Sequence, residues 1–149
     1  MGDSYTKPCF DSSVFIAGLD EEICRGIKRG VVYRYILAQV KAKEYRISLS
    51  AIALAEVYKK KRFATPEGKS LDEFLELVEE DYVDVIEVDR EVGIEAHRLC
   101  RRFADKGLMP VDAVHLACAI RAGSDVLLTW DGPLSQISMT RSRLRSREC

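Results

Sequence analysis

Apolar and polar positions along the chain alternate between two periods, and the alternation is ordered. KPCF (7–10) is a short apolar run in which Pro8 can only be the opening residue, because proline is tolerated at the start of a strand. From about Ile23 to Glu44, the spacing of Ile27, Val31, Tyr35 and Leu37 is helical, with Gly26 and Gly30 weakening the first half. YRISLS (45–50) alternates with period two and reads as a strand. Ser50 then offers a cap for a helix over AIALAEVYKKKRF.

The same strand-then-helix unit recurs. After a loop at Thr65-Pro66-Glu67-Gly68, Leu71 to Tyr82 is an amphipathic helix and VDVIEV (83–88) has the β-branched enrichment of a strand. A helix from about Arg90 to Ala104 is broken by Lys106-Gly107-Leu108-Met109-Pro110; VDAVHLACAIRA forms the next, and Gly123 stops it. DVLLTW (125–130) is a buried type of strand. Strands separated by helices predict an α/β three-layer sandwich, with a parallel sheet of about four or five strands flanked by helices, because parallel neighbours need a crossover. Residues 1–139 read as a single domain, and the basic, low-complexity segment 140–149 as a mobile tail or an edge segment.

Composition narrows the class without choosing a function. With 149 residues, 47% of them hydrophobic, the chain suits one domain with its own core. Its 23 basic and 24 acidic residues give a net charge of −1, so any contact with a polyanion must come from local basic patches. There is no apolar stretch of membrane-spanning length and no basic-then-apolar leader pattern, and the expectation is a cytoplasmic protein. Five scattered cysteines without a Cys-x-x-Cys pair predict reduced, packed thiols.

The candidate chemistry is acidic. In an open parallel sheet, ligands sit beyond the carboxyl ends of the strands. Asp11 ends the first strand, Ser50 the second and Asp131 the last, while Asp112 opens a helix after a proline-containing loop. Glu56 shares an inward stripe with Ile52, four residues earlier. Four carboxylates brought together without lysine or arginine repel one another unless cations lie between them. Oxygen donors of this kind select a hard divalent ion, Mg²⁺ or Mn²⁺, and such ions suit phosphodiester hydrolysis. Ser12 and Thr129, beside Asp11 and Asp131, are placed to orient those carboxylates.

Plainer readings exist for each residue alone. Asp112 can be a first-turn acid favoured by the helix dipole, Asp11 a cap, and Glu56 a partner for Lys59 or Lys60. The pairs His97-x-x-Cys100 and His115-x-x-Cys118 have zinc-ligand spacing, but core packing is the default for them. Lys59, Lys60 and Arg62 continue the helix that bears Glu56 and are candidate contacts to a nucleic-acid backbone; the arginines of the tail are a second candidate.

CFDSSVFI, SLSAIALAEV, LMPVDAVHLACAIRAG and DVLLTWDGPL, in this order over residues 9–134, resemble the four signature blocks of the PIN domain. The resemblance implies a divalent-metal-dependent endoribonuclease, with its acidic positions at Asp11, Glu56, Asp112 and Asp131, and its Ser/Thr before the last acid at Thr129. Ser50 takes a supporting place beside them. It also implies the toxin of a toxin–antitoxin pair of the virulence-associated type, a homodimer silenced by a small protein antitoxin. Two features depart from the pattern: Gly132-Pro133 stands where a further acidic or polar residue is usual, and the Arg-rich tail takes the place of a closing fifth strand. The competing class is a non-catalytic PIN-like binding or scaffold module with an acidic pocket.

Overall fold

The computed structural model describes residues 7–19, 23–24, 26–43, 45–58, 69–135, 137 and 145–148. Pro8–Phe10 forms β1 and Ser12–Leu19 forms α1; Ile23–Cys24 (β2) and Ile27–Lys28 (β3) make a small antiparallel ribbon before α2, Arg29–Ala42. Ile47–Ser50 is β4, followed by α3 (Ile52–Glu56), α4 (Lys69–Val78), β5 (Val83–Ile86) and α5 (Arg90–Arg102). A 3₁₀ turn at Ala104–Lys106 leads to α6 (Pro110–Arg121), β6 (Val126–Thr129), α7 (Gly132–Ser135) and β7 (Arg145–Glu148).

The sheet is five-stranded and parallel, in the order β5-β4-β1-β6-β7. From β1 the chain builds outward on one side through β4 and β5, then returns to place β6 and β7 on the other. The reversal of direction at β1 leaves a crevice at the carboxyl ends of β1 and β6, where open α/β sheets bind ligands.

Alternation along the strands divides the core into two layers. Cys9 and Leu127 face Val92, Leu99, Leu116 and Leu134 on the α5–α6 side. Phe10, Ile47 and Leu49 face Val14, Phe15, Tyr33, Ala53 and Phe74 on the other. All three residues of β1 are buried, as expected for a strand covered on both faces. Burial pushes the Cys9 thiol up to about 12, which keeps it inert, in line with packed, reduced cysteines.

The helix expected from Ile23 starts only at Arg29. Gly26 has φ 79°, a left-handed conformation that turns β2 into β3, and the apolar spacing of the preceding residues belongs to that ribbon. The helix after Ser50 is also shorter than its pattern: α3 ends at Glu56, and residues 59–68, including Lys59, Lys60 and Arg62, lie outside the described residues. The basic segment 140–149, read as a mobile tail or an edge segment, supplies in Arg145–Glu148 the edge strand β7. The sheet therefore does close with a fifth strand, paired to β6 from Val126↔Arg145 to Thr129↔Glu148.

Candidate functional site

The site is built on the end of β1. Asp11 is only 2% exposed, and a buried carboxylate needs partners. Its Oδ2 accepts from the Thr129 hydroxyl at 2.7 Å, and its Oδ1 accepts a short bond from the Ser13 backbone N–H. The second bond is an Asx turn that also caps α1, so Asp11 is both the helix cap of the plainer reading and a member of the acidic group. Thr129 in turn accepts from the Asp131 N–H at 2.9 Å, and Ser13 Oγ accepts from the Trp130 N–H at 2.8 Å. One hydroxyl thus links the ends of β1 and β6.

Asp112 enters from the first turn of α6, where the helix dipole favours a negative charge. Pro110 at the start of that helix lacks the N–H that would be unsatisfied there, which is why the helix begins where it does. Burial, the charges of Asp131 and Asp11, and a hydrogen bond to Asp131 together push the Asp112 carboxyl up to about 6; His115 opposes them. Among the described residues, no lysine or arginine acts on Asp112. Asp11, Asp112 and Asp131 therefore share one crevice, as the strand-end placement anticipates.

Glu56, the fourth acid, is held differently. Its Oε1 lies 2.5 Å from Nε2 of His115, a side chain that is 1% exposed. His115 is not bonded locally at the start of its helix; it reaches across to α3. Ser50 is fully buried, and its hydroxyl accepts from the Ile52 N–H at 3.3 Å, so it anchors the helix that carries Glu56. Ser12 is buried at the start of α1, and the serine that joins Asp11 and Thr129 is its neighbour Ser13. The Asp-x-Ser spacing after a strand was a readable signal for that turn.

Among the described residues, no three His, Cys, Asp or Glu side chains converge tightly enough to form a ready metal cage. The donor chemistry nevertheless fits a hard divalent cation. Asp112 lies in the field of Asp131 and Asp11, and its carboxyl holds a proton well above its usual range where a cation would relieve the repulsion. Beside this group, the Arg29 guanidinium rests 4.3 Å from the centroid of the Trp130 ring, placing a cation next to the residue that precedes Asp131.

Fold and site together define a three-layer α/β protein with an acidic crevice at the switch point of a parallel sheet. The chain belongs to the PIN domain family, whose model matches residues 9–138. Solved structures that share the fold include VapBC2 and VapC20. VapBC2 from Rickettsia felis, bound to a DNA fragment from its promoter, is 19% identical with a TM-score of 0.64, covering 96% of this chain and 98% of that one. VapC20 of Mycobacterium tuberculosis, a toxin that cleaves the sarcin–ricin loop, is 19% identical with a TM-score of 0.63, covering 86% and 92%. No curated protein matches the sequence. Among the described residues, no helix is long and apolar enough to cross a membrane.

Proposed function

We propose that the protein is a divalent-metal-dependent endoribonuclease, with Asp11, Glu56, Asp112 and Asp131 as the ligands of Mg²⁺ or Mn²⁺. The observation that carries this reading is the raised Asp112 carboxyl, hydrogen-bonded to Asp131 in the field of Asp11, inside a PIN domain. When bound, a divalent ion supplies a Lewis acid that activates water and neutralises the leaving oxygen of a phosphodiester. The chain's own contribution is orientation. Thr129 and Ser13 fix both oxygens of Asp11, Ser50 anchors α3 beneath Glu56, and the start of α6 presents Asp112.

Family membership and the likeness to VapC20 and VapBC2 support RNA as substrate and a role as the cytoplasmic toxin of a toxin–antitoxin pair. A protein partner also suits the surface. Val31 and Tyr35, four residues apart on α2, are 51% and 64% exposed, an apolar stripe that an antitoxin or a second copy in a homodimer can cover. Lys59, Lys60 and Arg62 remain the proposed contacts to the RNA backbone.

The test is cleavage of a structured RNA by the purified protein with Mn²⁺, compared with Asp11→Asn and Asp131→Asn. The expected result is cleavage that EDTA abolishes and that neither variant supports while both stay folded. Undiminished cutting by both variants, or in EDTA, overturns the proposal. No cleavage by the wild type with any RNA, together with tight partner binding, would favour the scaffold reading.

A further inference from the structure

Asp112 and His115 lie three residues apart on α6 and so share a face of that helix. The first belongs to the acidic crevice, and the second bonds Glu56 on α3. We propose that His115 is the positioning residue for Glu56: its Nε2–H, held rigidly in the core, fixes the Glu56 carboxylate so that α6 delivers two acids to the crevice, Asp112 directly and Glu56 through the imidazole. The proposal deepens the metal-site reading above and rests on it.

Four observations support this assignment. Glu56 closes a helix of only five residues and its side chain is 31% exposed, so its own helix constrains it little. His115 is 1% exposed on a helix whose Ala113, Leu116, Ala117 and Cys118 are likewise buried, so it cannot follow a wandering carboxylate. Its Nδ1 is buried with no hydrogen-bond partner among the described residues. A proton on Nδ1 would be a buried donor without an acceptor, whereas an ionised carboxylate can only accept; the tautomer is therefore Nε2–H, donating to Glu56. His115 also lies within electrostatic reach of Asp112.

Mn²⁺ affinity measured by calorimetry on the full chain tests the role, because partners that orient metal ligands typically contribute about 10- to 100-fold in affinity. His115→Leu should weaken Mn²⁺ binding by about that factor, and His115→Gln, whose amide nitrogen falls near Nε2, should restore most of it. In a Glu56→Gln background, His115→Leu should add little, a non-additivity that loss of packing alone does not produce. Wild-type affinity in a folded His115→Leu, or full additivity with Glu56→Gln, overturns the positioning role while leaving the metal site standing. No Mn²⁺ binding by the wild type removes the metal reading and this role with it. Should His115→Leu fail to fold, nitrogen NMR of the wild type still decides: a proton on Nε2 is expected, and one on Nδ1 overturns the assignment.

Discussion

The Thr129 hydroxyl donates to Asp11 at 2.7 Å and accepts from the Asp131 N–H at 2.9 Å, so one side chain orients two acids from different strands. Thr129→Val keeps the shape and removes both bonds, leaving a buried carboxylate and a backbone N–H short of a partner. The expected cost is about 1–3 kcal/mol of stability, or about 3–10 °C in melting temperature for a domain of this size. Mn²⁺-dependent cleavage should fall at least about 10-fold, while Thr129→Ser should stay near wild type. Thermal melts and cleavage rates check both; a silent Thr129→Val would contradict the network.

The Asp112 carboxyl, pushed up to about 6 from an ordinary 3.8, holds its proton in the folded protein to a higher pH than in the unfolded chain. Folding therefore takes up a proton between those values, and metal-free stability should fall as pH rises through that window. Asp112→Asn should flatten the decline and raise the melting temperature at pH 7 in EDTA by about 3 °C, for about 1 kcal/mol of relieved repulsion. Melting curves from pH 4 to 7 in both proteins provide the comparison. A wild type whose stability climbs across this window would reverse the sign.

Trp130 is the sole tryptophan of the chain and directly precedes Asp131. With Arg29 stacked on its ring, it is a built-in reporter of the site. Titrating Mg²⁺ into the protein should change Trp130 emission saturably, and Asp131→Asn should weaken the response about 10-fold or more. An emission spectrum indifferent to millimolar Mg²⁺ and Mn²⁺ would count against ligation at Asp131.

Gly18 sits where a Cβ would lie 2.4 Å from the Tyr33 ring, so the backbone of α1 packs directly against that side chain of α2. Gly18→Ala should cost about 1–3 kcal/mol through overpacking, well beyond any gain in helix propensity. Denaturant unfolding measures it; a stabilised Gly18→Ala would mean the two helices separate easily.

Much of this architecture could be read from the residues because the signals were local. The period-two run at 47–50, the β-branched run at 83–86 and the buried type of run at 126–129 became strands, and Gly123, with φ 64°, stops α6 as its position suggested. The acids at strand ends were equally legible, since Asp11 and Asp131 need only the rule about the carboxyl edge of a parallel sheet. What failed to show was either ambiguous in period or distant in sequence. Ile27 and Val31 fit a helical spacing, and only the backbone of Gly26 decides that the chain turns there. The Glu56–His115 bond joins residues 59 positions apart, and neither spacing nor composition encodes such a partner.

The place of β1 between β4 and β6 also has a bearing on time. Asp11 and the Thr129 that secures it are separated by 118 residues, so a ribosome finishes most of the chain before the first strand gains its second neighbour. Until then the crevice has only one wall, so the acidic group is assembled only after β6 has been made.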